Sequence, residues 1–183
     1  MSYAAALLKA WSELATLTKD KKTSIRFFSD EYSVDLENKR ILSLSCNAPC
    51  KDYISILILH YIKQKLRGLP LISGEWITFK QLQGGQGYYT AFKKRVIDPI
   101  LRKYGPKPEA LLGLTERFNA KRVQLADTSI VLDVCDSVPV LITLWHGDEE
   151  FGSEVNVLFD KSIKDIFCTE DVVILAEFLA RSI

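Results

Sequence analysis

The sequence predicts an α+β fold. One antiparallel sheet, drawn from an N-terminal meander and C-terminal hairpin strands, is packed by a buried central helix and flanking helices. Three observations lead there. Residues 24–46 alternate apolar and polar side chains in short runs, and the stretches after residue 129 do so again. Between them, residues 52–66 begin apolar on almost every side, the mark of a buried helix. Strands and helices come in runs rather than in strict alternation, which favours α+β over a parallel α/β sheet.

Each element has its own signature. Residues 3–18 carry Ala4, Leu7, Leu8, Trp11, Leu14 and Ala15 at helical spacing, with Lys9, Ser12, Glu13 and Thr16 facing away. The polar run Lys19-Asp20-Lys21-Lys22 ends that helix as a short linker or solvated turn. In the meander, Tyr32, Val34 and Leu36 form one inward face, and Leu42, Leu44 and Cys46 another; Ser29-Asp30-Glu31 and Glu37-Asn38-Lys39 are the turns. The central helix becomes basic at Lys63, Lys65 and Arg67, which suits the negative end of its dipole, and Gly68 and Pro70 stop it. A short strand over 74–79 leads to Gly84-Gly85-Gln86-Gly87 and a helix from about Tyr88 to Tyr104. Phe92, Val96 and Ile100 form its stripe; Pro99 has no N–H for the carbonyl of Arg95 and should kink it. A shorter helix spans about Glu109 to Phe118. Ile130, Leu132 and Val134 mark a half-buried strand, Val138 to Trp145 a central one, and Val155, Val157 and Phe159 a third. The closing helix runs from about Glu170 to Arg181, with Thr169 as its cap.

A chain of 183 residues is expected to form a single domain over 1–183. It can bury roughly 70% of its unfolded surface, enough for a core without covalent staples. A net charge of +1 sets up no field for nucleic acid or an anionic membrane. Four scattered cysteines (46, 50, 135 and 168) suit a reducing compartment, so the expected location is the cytoplasm. The N-terminal apolar run lacks a basic lead and is interrupted by Lys9, so it is not read as a signal peptide. Tyr53 to Ile62 falls well short of the roughly 20 residues that a membrane span needs.

Two stretches could carry chemistry. Gly84, Gly85 and Gly87 would bring backbone amides close to a ligand at a helix start, where N–H groups are unpaired. Tyr88 and Tyr89 would line that pocket, and Lys93 and Arg95 would add positive charge one to two turns on. The same residues also make a tight turn with a solvated basic face. No Gly-Lys-Ser/Thr follows, and Thr90 stands where a dinucleotide fingerprint needs its last glycine. The second stretch is His146, Asp148 and Glu150, whose nitrogen and oxygen atoms suit a hard cation or acid–base work, or simply a solvated hairpin loop. Its spacing matches no metal motif, so no metal site is assigned. His60 reads as a satisfied core histidine. The cysteine spacing matches no zinc or cluster pattern.

Linked blocks carry a resemblance. LILHYI at 57–62, GLPLISGEWITFKQLQGGQGYY at 68–89, FKKRVIDPIL at 92–101, VPVLITLWHGDEEF with NVLFD within 138–160, and TEDVVILAEFLA at 169–180 resemble the domain of unknown function 3786 family. The resemblance implies the setting of anaerobic bacteria and archaea, near redox or corrinoid and one-carbon metabolism. Some family members resemble fusions to an iron–sulfur domain, whose closely spaced cysteines this chain lacks. It implies no activity and names no cofactor. The residues themselves favour a non-catalytic binding module for an anionic small molecule or a cofactor such as a corrinoid. The alternatives are a metal-dependent hydrolase or other enzyme at His146, Asp148 and Glu150, and an accessory protein that docks on a partner enzyme.

Overall fold

The computed structural model describes residues 3–183. Helix α1 (Tyr3–Ala15) precedes the strands β1 (Lys22–Phe27), β2 (Asp30–Asp35), β3 (Arg40–Ser43) and β4 (Ala48–Pro49). Helix α2 (Asp52–Arg67) leads through an extended loop to β5 (Trp76–Thr78), a 3₁₀ turn (Phe79–Gln81) and α3 (Gly85–Phe92). A π-helical turn (Lys93–Ile97) joins α3 to α4 (Asp98–Tyr104). Helix α5 (Leu114–Phe118), strands β6 (Lys121–Arg122), β7 (Thr128–Asp133), β8 (Pro139–Trp145) and β9 (Glu154–Asp160), and helix α6 (Thr169–Ser182) complete the chain. The fold class is α+β, with antiparallel pairing throughout.

The strands divide into two sheets rather than one, in the orders β1-β2-β3-β4 and β5-β9-β8-β7-β6. They meet corner to corner. The Phe28 N–H donates to the Val134 carbonyl at 2.7 Å, and Arg26 donates to the Asp133 carbonyl at 3.0 Å. Strand β8 sits inside its sheet, which explains why six consecutive residues from Pro139 to Leu144 are buried. Helix α2 is buried without a break from Ile54 to Leu59, so its apolar surround is met by protein on all sides. Tyr61, buried just beyond the half-buried His60, donates its hydroxyl to the Asp136 carbonyl at 3.0 Å. Phe27 and Phe28 pack against Phe178 of α6 at ring distances of 5.5 and 4.9 Å, so the small sheet and the last helix share the core.

Several boundaries and one register differ from expectation. Helix α1 ends at Ala15, not residue 18, and Leu8 of its expected stripe is exposed. In β3 the inward face is Ile41 and Ser43, one residue out of step with the expected Leu42 and Leu44; Leu44 is exposed. Both phases offered an apolar residue, and pairing decided between them: Ile41 lies opposite Val34, which is fully buried. The Asp30 carboxylate then takes hydrogen bonds from the Ser43 and Ser45 hydroxyls, fixing the strand end in that phase. Thr169 is the first residue of α6 rather than its cap, because its hydroxyl is committed to the Gln83 carbonyl at 2.8 Å. Among the described residues no helix is long and apolar enough to cross a membrane.

Candidate functional site

The segment from Thr78 to Tyr104 builds one wall of a cleft against α6. Gln81 accepts from the Thr78 N–H at 2.8 Å, closing a capping box over the 3₁₀ turn. Gln81→Ala should therefore cost about 1 kcal/mol of stability in urea unfolding, the usual worth of a cap. Gly84 follows with φ +74°, a left-handed position that favours glycine. Helix α3 starts at Gly85, inside the glycine cluster and three residues before the expected Tyr88. The Gly85 N–H is already bonded to the Leu82 carbonyl at 3.0 Å, and Gly85 is buried. The loop is tied to α6 by the Thr169–Gln83 bond.

The expected kink at Pro99 takes the form of a π turn. The Asp98 N–H reaches five residues back to Lys93, so the helix widens just ahead of the proline that lacks an N–H. Tyr88 and Arg95, two turns apart, lie on the side facing α6. Arg95 Nη1 donates to Tyr88 Oη at 2.8 Å and to Glu177 at 3.1 Å, with its guanidinium 5.9 Å from the Tyr88 ring centre. The bond to Glu177 raises the Arg95 pKa further, so the group is always charged. A guanidinium has five N–H donors, and no further bond from its Nε or Nη2 forms among the described residues.

The cleft at this point measures about 430 Å³. Gly84, Tyr88 and Arg95 line one side, and Val173, Ile174 and Glu177 the other, with Tyr3 at one end. Gln83, Thr169 and Glu170 form a sill shared with a neighbouring recess of about 770 Å³ that holds Gln81, Lys164 and Cys168. Burial, together with the Asp171 and Glu170 carboxylates beside it, pushes the Cys168 thiol up to about 12, so it is protonated at neutral pH.

Other candidates from the sequence lie elsewhere. Tyr89 turns to Phe92, with the Lys80 ammonium 4.1 Å from its ring centre. Lys93 pairs with Asp98 at 2.6 Å, and Gly87 is exposed with open space around it. His146, Asp148 and Glu150 sit on the exposed β8–β9 loop. There the Asp148 carboxylate accepts the N–H groups of Phe151 and Glu150 at 2.7 and 2.9 Å, which holds its pKa low. The His146 N–H donates to Asp127 at 2.8 Å. Among the described residues no three His, Cys, Asp or Glu side chains converge as metal ligands.

Two partner groups were not singled out from sequence, Glu177 and the buried Asp171 carboxylate that meets His60, itself expected as a satisfied core histidine. Glu177 holds Arg95. The half-buried His60 has its Nδ1 2.8 Å from the buried Asp171 carboxylate, pinning α2 to the first turn of α6. The available signal was Asp171 itself, an acid placed among the buried stripe residues of its helix.

Comparison with curated proteins and with solved structures gives no match. The model of a domain of unknown function, DUF3786, matches residues 9–182. That match takes in α2, the glycine loop, both walls of the cleft and all of the large sheet, and the chain belongs to the DUF3786 family.

Proposed function

We propose that the chain is a non-catalytic binding module for a small anionic molecule, held in the cleft between the glycine loop and α6. The observation that carries this reading is Arg95. Tyr88 and Glu177 fix its guanidinium through one nitrogen, and the rest of its donor fork is left to a ligand. Such a fork matches a carboxylate or phosphate in two parallel hydrogen bonds. Val173 and Ile174 supply an apolar wall, and a few polar groups on an apolar lining are the usual make-up of a ligand pocket. A volume of about 430 Å³ favours a small molecule over a bulky macrocyclic cofactor such as a corrinoid. Glu177 and Glu170 at the rim add selectivity for ligands that bear a positive or hydrogen-donating group beside the anion. The cytoplasm is the fitting location, since all four cysteines are free thiols.

The test is binding by Arg95→Ala and the parent protein. Native mass spectrometry on protein purified without oxygen would find a retained ligand. Calorimetric titration with inorganic phosphate, short dicarboxylates and amino acids would find an exchangeable one. Arg95→Ala should bind the selected anion roughly 10- to 100-fold more weakly, as expected for losing charge-assisted hydrogen bonds, with its melting point near that of the parent. Equal affinity in both proteins would remove this site.

A further inference from the structure

We propose, resting on the binding reading above, that the anion in the cleft is the carboxylate end of a free dipeptide with apolar side chains, and that Glu170 holds its ammonium end. Helix periodicity in α6 supplies the pattern. Glu170, Val173, Ile174 and Glu177 are spaced i, i+3, i+4 and i+7, so they form one stripe, and all four line the cleft. The stripe runs from an acid, over two apolar residues, to a second acid.

The charged groups of the lining are Arg95, Glu170 and Glu177, one cation and two acids. The two acids are not equivalent. Glu177 is half-buried and already accepts from Arg95 and Arg181 at 3.1 and 3.3 Å. The Glu170 carboxylate is exposed, lies beside the Cys168 thiol and pairs with no cation among the described residues. With Glu177 satisfied, the cleft keeps an open guanidinium edge at one end and an unpaired carboxylate at the other. A simple anion would meet Arg95 but leave Glu170 uncompensated beside it. A simple cation would leave Arg95 unmet. A zwitterion answers both ends at once.

Spacing sets the length of that zwitterion. Seven residues of helix put the two acids about 10.5 Å apart, and both side chains lean the same way along the axis. Hydrogen bonds of about 2.9 Å at either end leave about 5 Å for the ligand to span. In a single α-amino acid the ammonium and the carboxyl carbon are less than about 3 Å apart, the sum of two bonds. Two extended residues reach about 7 Å. An extended residue occupies about 160 Å³, from a rise of about 3.3 Å, a strand spacing of about 4.8 Å and a layer of about 10 Å. The cleft of about 430 Å³ therefore has room for two. Between the charged ends, Val173 and Ile174 face the side chains. On the sill, the Gln83 side-chain amide has no partner among the described residues, since only its main-chain carbonyl is taken, by Thr169. That amide is both donor and acceptor, and a peptide bond offers the matching acceptor and donor.

The test is calorimetric titration of the parent protein with leucyl-leucine, its N-acetyl form, its C-terminal amide and free leucine. Leucyl-leucine should bind at least about tenfold more tightly than each of the others, because each of them gives up a charge-assisted contact. Glu170→Gln should bind leucyl-leucine and its N-acetyl form equally, and Arg95→Ala should bind leucyl-leucine and its amide equally, both variants melting near the parent. Equal binding of the free and acetylated peptides by the parent would overturn the dipeptide assignment. So would phosphate or succinate bound through Arg95 as tightly as the dipeptide; in both cases the anion site itself would stand. Equal binding of δ-aminovalerate, which has two separated charges and no peptide bond, would overturn the assignment of a peptide. Binding of every ligand unchanged in Arg95→Ala would remove the anion site and the dipeptide with it.

Discussion

Asp160→Ala should lower stability by about 3 kcal/mol, and the loss should appear first in the loop between α2 and β5. The Asp160 carboxylate is 1% exposed and accepts four hydrogen bonds: the Ser73 N–H and hydroxyl at 3.0 and 2.9 Å, the Gly74 N–H at 2.7 Å and the Ser162 N–H at 2.9 Å. It therefore fastens residues 68–75 to the end of β9 and starts the 3₁₀ turn that leads to α6. Hydrogen bonds to a charged group are worth about 1.5–3 kcal/mol each, but they are not additive here. Ser73 and Gly74 are exposed and can turn to water once released, whereas the Ser162 N–H is buried and cannot. That asymmetry sets the figure near one to two bonds' worth. Asp160→Asn should do no better, since its amide would aim a donor at a donor. Urea unfolding gives the magnitude, and hydrogen exchange at Ser73 and Gly74 gives the place. A variant as stable as the parent would mean that the loop is held by other contacts.

The same carboxylate sets an acid limb. Burial alone would raise its pKa, but the bonds from Ser162 and Ser73 outweigh it and hold the group at about 2, against 3.8 for a free aspartate. A depressed pKa stabilises the fold above the unfolded value, because the unfolded chain takes up the proton first. The contribution, about 2.5 kcal/mol, is complete above about pH 5 and is lost as pH falls through 2. Asp160→Ala should thus lose this part of the pH dependence between 5 and 2, while the carboxylates of Glu13, Asp30, Asp35 and Asp148, also held low, keep theirs.

What the chain announces in advance is whatever one segment decides alone. Helix α2 is legible because its apolar residues leave no polar face, and β8 because a two-sided apolar run has few other places to go. Tyr88 and Arg95 fall on one face of a helix by spacing alone. Their orientation was not legible, since it depends on Glu177, 82 positions beyond Arg95. The His60–Asp171 contact, 111 positions apart, was hidden for the same reason. The β3 register failed differently. Ile41, Leu42 and Leu44 satisfy both phases, and only the partner strand breaks the tie. Thr169 has good cap chemistry, but a carbonyl from a distant loop claims its hydroxyl.

The glycine cluster shows how far local reading goes, and it yields the second large effect: Gly85→Ala should destabilise the protein by about 3 kcal/mol, while Gly87→Ala should stabilise it slightly. Both glycines lie in α3, where alanine is intrinsically better by about 1 kcal/mol. At Gly87 a Cβ meets open space, so that preference is realised. At Gly85 the Cβ would stand 2.0 Å from the Phe79 carbonyl oxygen and 3.1 Å from its carbon. Neither side can yield cheaply. The Phe79 ring is buried and stacked on Phe92 at 4.1 Å, and its carbonyl accepts the Leu82 N–H that closes the 3₁₀ turn. Overpacking against fixed neighbours costs about 1–3 kcal/mol and occasionally more, and backbone oxygen is the least yielding of neighbours. For a chain of this size the expected loss is about 6–12 °C in Tm. The pair separates two roles of the cluster. If Gly85 serves close packing, Gly85→Ala loses stability and ligand affinity together, and Gly87→Ala keeps both. If Gly87→Ala instead keeps its stability and loses anion binding, the exposed turn of α3 belongs to the ligand site, and the anion sits nearer the helix start than Arg95 alone would place it.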